Sequence, residues 1–221
     1  GRATPNGGVY IQMSHLGPEN VREQFKGMVE RCADSGFDLA NDLVEVVPTA
    51  HYMMGGLVFN KDCSTELPGL FAAGEDTGGV HGANRLGGNG VANSTVFGGI
   101  AGDAMAQWVS TQSLLECNMD EVYQSIQVHE APLNKPAGDI ESIRDALAAC
   151  MWDDVGISRT KDSLHRARNT LDQLDKQLNQ IGVGSIQREY SVTWQDWMNL
   201  QNLIQVSKTI TAAAISRENS R

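Results

Sequence analysis

The chain has 221 residues, a formal net charge of −10 and a hydrophobic content of 41%. This length suits one large domain or two small ones, and the hydrophobic content is ordinary for a globular protein. The acidic charge disfavours nucleic acid as a partner. No apolar run approaches the ~20 residues of a membrane span, so the sequence predicts no direct membrane insertion. No signal peptide is visible, which favours a cytoplasmic protein.

The four cysteines, Cys32, Cys63, Cys117 and Cys150, are widely separated, and no two of them form a CxxC pair. Zinc sites and disulfide frameworks have closer or more regular spacings. The spacing therefore predicts neither a metal site nor disulfides, and we interpret the thiols as buried or idle in a reducing compartment.

Two strands and a helix are predicted in the first fifty residues. Residues 9–13 are predicted as a short strand, and residues 43–47 as another that Pro48 ends. Between them, Pro18 marks a helix start, and apolar residues follow at helical spacing until Gly36.

Glycine is dense across residues 55–102 and nearly absent afterwards. Residues 57–59 and 70–73 are predicted as short strands, with a turn at residues 60–62. Residues 89–109 alternate small and apolar side chains, and this pattern predicts a tightly buried helix.

Residues 120–221 are predicted to be almost wholly helical. Apolar residues at helical spacing mark helices at residues 140–151, 164–181 and 194–214, and Gly182 breaks the pattern after the second. Such stripes are typical of a bundle core rather than of a cofactor-binding surface.

The most informative stretch is HGANRLGGNG at residues 81–90. It places Arg85 in a glycine-rich loop directly before a predicted helix start. An arginine fork binds carboxylates or phosphates through two parallel hydrogen bonds, and a helix N-terminus adds free N–H groups. We interpret Arg85 as part of a preorganised anion site; the alternative is a surface arginine in a mobile loop.

Two further side chains are candidates for a binding role. His51 lies between a predicted strand and a glycine pair, where it can donate to a carboxylate; the alternative is a satisfied core histidine. Glu75 follows a predicted strand end and suits sugar-like hydroxyls, the alternative being a helix-cap or solvated carboxylate. The string GNGVAN at residues 88–93 lacks the last glycine of a dinucleotide fingerprint, and we reject that interpretation.

Taken together, these strings resemble the flavoprotein subunit of the succinate dehydrogenase and fumarate reductase family, which also includes L-aspartate oxidase. The resemblance is carried by PTAHYMMGG at residues 48–56, LPGLFAAGE at 67–75 and the loop at 81–89. It is strong over about residues 40–105. It is weaker towards the end, where SRENSR at residues 216–221 is similar to a stretch near the close of the family's helical domain.

The resemblance implies an α+β fragment in three parts. These are the C-terminal part of a capping domain (1–50), the last part of an FAD-binding α/β domain (51–115) and an incomplete all-α, three-helix bundle-like domain (116–221). The family's dinucleotide fold, and the histidine that carries covalent FAD in many members, are expected upstream of Gly1. The chain by itself is therefore expected neither to hold FAD tightly nor to turn over.

The resemblance also implies a role for each candidate residue. His51 and Arg85 match residues that bind the two ends of a dicarboxylate substrate. The family's proton donor is an arginine upstream of this region, so no catalytic residue is expected in the chain. Where the family usually has Ser-Leu-Leu after Asn89, this chain has Gly-Val-Ala, so only backbone contact with the flavin is expected there. Glu75 matches an acid that contacts FAD. The helix start at Asn89, Gly90 and Val91 matches the one that faces the flavin pyrimidine ring.

The implied function is interconversion of succinate and fumarate by hydride transfer at flavin N5 of FAD, with both substrate carboxylates clamped. The alternative is L-aspartate oxidase or a related flavin-dependent dehydrogenase, although Met53 and Met54 after His51 fit the succinate and fumarate branch better. An alternative from a different functional class is that the chain is a non-catalytic binding module, in which residues 120–221 dock an iron–sulfur subunit. Peripheral attachment at the cytoplasmic membrane would come from partner subunits.

Overall fold

The computed structural model describes residues 4, 7–47, 49, 51–114 and 116–217. Pro48, predicted to end a strand, and most of the C-terminal string at 216–221 lie outside the described residues. The chain divides into two compact units, Gly1–Ser113 and Leu114–Arg221, and each is described separately. Among the described helices, none is both long and apolar enough to cross a membrane.

The first unit begins with a two-stranded sheet, and two helices separate its strands in the sequence. Strand β1 (Val9–Gln12) pairs antiparallel with β2 (Leu43–Val46), and Val9 lies opposite Val46. Helix α1 (Pro18–Gln24) and helix α2 (Lys26–Asp34) lie between them in sequence. Both strand predictions and the helix start at Pro18 are confirmed.

The expected single helix between these strands is divided at Phe25. The Phe25 N–H still bonds to Val21 O, but the N–H groups of Met28 and Val29 both return to Phe25 O. A new helix therefore starts from Phe25 as its N-cap. A small apolar cluster holds the two helices against β2; its buried members are Val21, Leu39, Ala40 and Val44.

The two apolar runs predicted as strands, 57–59 and 70–73, lie in loops instead. Each run forms a single β-bridge, Leu57 with Thr77 and Phe71 with Ser64. Both strand predictions are wrong, because neither run meets a continuous neighbouring strand in the part of the chain that the structure describes. The turn at residues 60–62 is confirmed by a hydrogen bond from Cys63 N–H to Asn60 O at 2.9 Å.

Helix α3 (Asn89–Ser110) is present as predicted, but it is not tightly buried. Only Asn93 and Ala101 of this helix are buried, whereas Val91 is 77% exposed. One side of the helix packs on the preceding loops, where Phe97 and Trp108 contact aromatic rings. The alternation of small and apolar residues predicted burial correctly only on that side, since no element in the described part of the first unit covers the other.

The described residues of the second unit contain four longer helices: α4 (Met119–Glu130), α5 (Ile140–Asp153), α6 (Lys161–Gln180) and α7 (Val192–Ser216). The last three form the expected bundle and contribute most of its core. Trp197 Nε1 on α7 donates to Leu178 O of α6 at 3.2 Å. Side-chain caps fix the helix starts: the Asp139 carboxylate, the Thr160 hydroxyl and the Ser191 hydroxyl accept first-turn N–H bonds, which satisfies donors that a helix start leaves free.

The break after α6 follows from the close approach of backbone at Gly182. Its N–H donates to Pro136 O at 2.8 Å, and a Cβ at this position would clash with Pro132 O. Only glycine fits there, which confirms Gly182 as the end of the second helical pattern.

Candidate functional site

The loop before Leu57 and the loop after Glu75 lie side by side. The Leu57 N–H bonds to Asp76 O at 2.8 Å, and the Gly78 N–H bonds to Leu57 O at 2.9 Å. Gly56 has φ +144, and a Cβ there would clash with Asp76 O. Two of the glycine-rich motifs are therefore joined through a contact that a larger residue at this position would break.

The Gly74 carbonyl connects these loops to helix α3. It accepts from the Thr77 N–H at 3.2 Å, from Thr77 Oγ1 at 2.6 Å and from Asn93 Nδ2 at 3.3 Å. Thr77 and Asn93 are both buried. Because buried polar groups of this kind are costly to leave unpaired, the three bonds fix the position of the Gly74 backbone relative to α3.

Glu75, the candidate acid, is exposed and takes part in a loop contact. Its Oε1 accepts from the Met53 N–H at 2.9 Å. The carboxylate therefore caps no helix in the described chain, and it is more than a solvated surface group. Oε2 has no hydrogen-bond partner among the described residues, so it is free to accept from a ligand.

The Arg85 guanidinium lies on the ring of Tyr52, with Cζ 4.3 Å from the ring centroid. Its Nη1 donates to Leu86 O at 3.3 Å. Its Nε is buried and has no acceptor among the described residues. Because Nε has no accessible surface, a ligand would reach the guanidinium through its terminal nitrogens, which can pair with an anion. This geometry differs from that of a free surface arginine.

His81, the first residue of the glycine-rich loop, bridges Tyr52 and helix α3. Tyr52 Oη and Asn93 Nδ2 each lie 3.3 Å from His81 Nε2. The rings of Tyr52 and His81 also pack edge to face, with centroids 5.4 Å apart. Sequence reasoning did not single out Tyr52, His81 or Asn93. The positions of Tyr52 beside His51 and of His81 at the loop start are the only sequence features that point to them.

The start of α3 has the free donors that the sequence predicted. Gly88 is its N-cap with φ +84, the Asn89 N–H bonds to Leu86 O at 3.2 Å, and the first helical bond runs from Ala92 N–H to Gly88 O at 3.3 Å. The N–H groups of Gly90 and Val91 have no acceptor in the described part of the chain. First-turn donors and the helix dipole together favour a negatively charged or carbonyl oxygen here.

Gly90 lies against Arg85 as well as at the helix start. A Cβ built on Gly90 would lie 3.0 Å from Tyr52 Cε2 and 3.5 Å from Arg85 Cζ. The absence of a side chain at this position therefore leaves room for the packed guanidinium and ring. The Asn89 side chain is exposed beside it.

His51 is exposed, so it is not a satisfied core histidine. The described residues give it no hydrogen bond and no ring contact. Its neighbours in sequence are both held, Tyr52 by His81 and Met53 by Glu75. The structure thus brings Arg85, Tyr52 and the start of α3 together, and it links His51 to them only through the adjacent backbone.

The described ranges contain no group of three or more His, Cys, Asp and Glu side chains that could hold a metal ion. All four cysteines are free, with Cys63 and Cys150 buried and Cys117 exposed. Burial raises the pKa of the Cys63 and Cys150 thiols, and nearby carboxylates raise it further. Neither buried thiol is therefore set up as a nucleophile.

Comparison with known proteins assigns both units to flavoprotein families. Residues 1–91 match the FAD binding domain family, and residues 144–221 match the family described as fumarate reductase flavoprotein C-term. The chain is 37% identical to a fumarate reductase (CoM/CoB) protein of Methanothermobacter marburgensis, covering 100% of this chain and 40% of that protein. It is 30% identical to the L-aspartate oxidase of a Synechocystis species, covering 96% of this chain and 40% of that protein.

Solved structures agree with these matches. Mycobacterium smegmatis Sdh1 in complex with UQ1 superposes with a TM-score of 0.86 at 31% identity, covering 100% of this chain and 38% of that one. A quinol-fumarate reductase with menaquinol molecules gives a TM-score of 0.86 at 29% identity, covering 99% of this chain and 39% of that one. The fold is therefore that of an FAD-binding class of oxidoreductases.

The chain belongs to the succinate dehydrogenase and fumarate reductase flavoprotein family and corresponds to the C-terminal portion of its longer members. It spans about 40% of the length of the curated relatives that it matches. The predicted fold class is confirmed: the end of an FAD-binding domain, with a small two-stranded sheet, precedes a C-terminal helical domain. The expectation of FAD as the cofactor is confirmed by the same family match.

Proposed function

We propose that this chain is part of an FAD-dependent oxidoreductase that interconverts succinate and fumarate. The observation that carries the proposal is the state of Arg85, whose guanidinium is held on Tyr52 and makes one hydrogen bond among the described residues, from Nη1 to Leu86 O. A substrate carboxylate would supply further acceptors for the terminal nitrogens and the opposite charge. The fumarate reductase relatives support the dicarboxylate assignment.

Arg85 and His51 bind the two ends of the dicarboxylate in this proposal. Arg85 provides a fixed positive charge, and His51 donates a hydrogen bond to the second carboxylate from an exposed loop. Holding both ends orients the substrate and removes rotational freedom before the reaction. The charge of Arg85 also withdraws electron density through its carboxylate, which makes the alkene carbon a better hydride acceptor.

The residues around the start of α3 fit FAD. The unpaired N–H groups of Gly90 and Val91 suit the acceptor atoms of the flavin pyrimidine edge, and the exposed side chain of Asn89 adds a polar contact. The free Oε2 of Glu75 suits hydroxyl groups of the cofactor. When bound, FAD supplies the hydride-transferring atom, N5. The positive end of the α3 dipole favours the negative charge of the reduced ring.

We propose that residues 1–50 belong to a capping domain, 51–115 to the FAD-binding domain and 116–221 to the helical domain. The proton donor is an arginine outside this chain. Relatives described as fumarate reductase flavoprotein subunits support partner subunits in a complex. We propose that one of these partners is an iron–sulfur subunit and that partner subunits hold the protein at the cytoplasmic membrane.

The test is Arg85→Ala in the FAD-loaded holoenzyme, with fumarate reduction and succinate oxidation as assays. Turnover should fall by about 10²–10³-fold, the effect of removing one preorganised charge from an active site, while the flavin content stays unchanged. Arg168→Ala is the matched control, since Arg168 is an exposed arginine on α6. Normal kinetics for Arg85→Ala would refute the proposed clamp.

L-Aspartate oxidation is a second candidate, because relatives of that activity are 30–32% identical to this chain. Aspartate carries the same two carboxylates, so His51 and Arg85 would hold it in the same way. Assaying the purified holoenzyme with succinate, fumarate and L-aspartate separates the two candidates. Turnover of L-aspartate without turnover of succinate or fumarate would replace the first proposal with the second.

A further inference from the structure

We propose that Tyr52 is a positioning residue for Arg85, and that His81 and Asn93 hold Tyr52 in place. The inference rests on the proposed function, since it takes Arg85 to be the substrate-binding cation. Tyr52 itself need not touch the substrate. Its role is to set where the guanidinium lies.

Arg85 has few other restraints. Its single hydrogen bond in the described chain runs to Leu86 O, the carbonyl of the next residue, at 3.3 Å. Such a local bond cannot fix a long side chain relative to the rest of the site. The face of the Tyr52 ring, 4.3 Å from Cζ, attracts the cation and limits its movement to a plane.

Tyr52 is in turn fixed to helix α3 through His81. Asn93 Nδ2 donates to Gly74 O at 3.3 Å and also lies 3.3 Å from His81 Nε2. Tyr52 Oη lies at the same 3.3 Å from this nitrogen. His81 therefore lies within hydrogen-bonding distance of both Tyr52 and Asn93, and it connects the ring to the helix.

This chain of contacts connects two parts of the proposed site. Asn93 lies one helical turn beyond Gly90, whose N–H is proposed to face the flavin. The ring of Tyr52 thus places the substrate-binding charge at a set position relative to the cofactor-binding helix start. Gly90 completes the arrangement, because a Cβ there would lie 3.0 Å from Tyr52 Cε2 and 3.5 Å from Arg85 Cζ, and the ring would have to shift. Small errors in such positions have large effects on reaction rates.

The experiment measures the dissociation constant of malonate, an unreactive dicarboxylate, by titration calorimetry on the FAD-loaded holoenzyme. Tyr52→Phe keeps the ring and loses the hydroxyl anchor, so the constant should rise by about threefold. Tyr52→Leu loses the ring as well and should raise it by about tenfold or more. Tyr123→Leu, which removes an exposed tyrosine from α4, is the control and should change nothing.

The double variant Arg85→Ala, Tyr52→Leu separates positioning from a general structural role. If Tyr52 acts through Arg85, the second substitution adds no further loss of malonate affinity to Arg85→Ala. A full additional loss in that background, or unchanged affinity in Tyr52→Leu alone, would overturn the inference. If Tyr52→Leu fails to retain FAD, Tyr52→Phe is compared in the wild-type and Arg85→Ala backgrounds instead. This variant removes only the hydroxyl oxygen of Tyr52.

The outcomes also separate this inference from the proposed function. If Arg85→Ala binds malonate normally, the substrate clamp itself is wrong. If Arg85→Ala binds weakly while both Tyr52 variants bind normally, the clamp stands and only the positioning role is refuted.

Discussion

The Glu75 carboxylate accepts a hydrogen bond from the Met53 N–H at 2.9 Å, across 22 residues of sequence. This bond fastens the loop that carries His51 to the loop that precedes helix α3. The ladder between Leu57 and Asp76 continues the same contact. A candidate cofactor-binding residue therefore also supports the candidate substrate-binding loop.

Substitutions of Glu75 should separate these two roles. Glu75→Ala leaves the Met53 N–H without its acceptor, so the His51 loop loosens and the KM for dicarboxylate should rise by about tenfold. Glu75→Gln keeps an amide oxygen for the same bond and should leave KM much closer to the wild-type value. Flavin retention after dialysis should fall in both variants, because each loses the charged acceptor. Equal KM values for the two variants would contradict a supporting role for this bond.

His51→Ala should weaken substrate binding with little effect on flavin content. His51 is exposed and makes no side-chain hydrogen bond in the described chain, so its removal should not disturb the fold. Losing one hydrogen bond to a substrate carboxylate should raise the dissociation constant for malonate by about tenfold. His15→Ala, at another exposed histidine, is the control. An unchanged constant in His51→Ala would exclude this residue from the substrate site.

The helical unit could be predicted from the sequence because the pattern that defines each helix lies within that helix. Each of α5, α6 and α7 carries its own apolar stripe, and the stripes need only each other to be buried. The pattern of α3 is equally clear, but no described part of the first unit covers its second side. Periodicity predicts that a surface needs a partner, and it does not say which segment provides that partner.

The candidate site was predictable only in part for a related reason. The glycines around Arg85 indicate an anion site, because that composition has few other uses. Tyr52, His81 and Asn93 belong to three separate segments, and their contact depends on loops whose course follows from long-range hydrogen bonds. The short apolar runs near Leu57 were predicted as strands for the same lack of long-range information.

The segment Leu114–Arg221 should fold without the first unit. Its core residues come entirely from its own helices and connections, and Leu171, Leu178 and Leu200 are fully buried. Leu171→Ala should lower the free energy of unfolding by about 2–5 kcal/mol, whereas Leu203→Ala, at a half-exposed position, should have little effect. Urea unfolding followed by tryptophan fluorescence and circular dichroism measures both. A broad transition without cooperativity would show that the unit is not autonomous.

The two cysteines of this segment should differ in reactivity. Cys117 is exposed, whereas Cys150 is buried. Burial, reinforced by the charges of Asp154 and Asp153, raises the pKa of the Cys150 thiol. Titration with a thiol-reactive disulfide reagent should therefore give one fast equivalent and one that reacts only as the segment unfolds. Cys117→Ser should abolish the fast phase, and a fast phase that survives in that variant would contradict the burial of Cys150.

Lys208 should link the stability of the helical unit to alkaline pH. Its Nζ on α7 lies 2.6 Å from Asp175 Oδ2 and 3.0 Å from Asp172 Oδ1 on α6. The hydrogen bond to Asp175, with that to Asp172, raises the pKa of Lys208 above its ordinary value. A lysine with a raised folded pKa contributes stability that is complete below the unfolded pKa of about 10.4 and is lost as pH rises through the folded pKa.

Lys208→Met should therefore lower the free energy of unfolding by at most about 1 kcal/mol at neutral pH, and by less in high salt, since the pair is partly solvated. The difference from wild type should shrink as pH rises above about 10.4. Lys176→Met, at an exposed lysine on α6, should show neither effect. A difference for Lys208→Met that stays constant through this pH range and in high salt would assign the contribution to the packing of its aliphatic stem instead, because only the charge titrates and only the charge is screened.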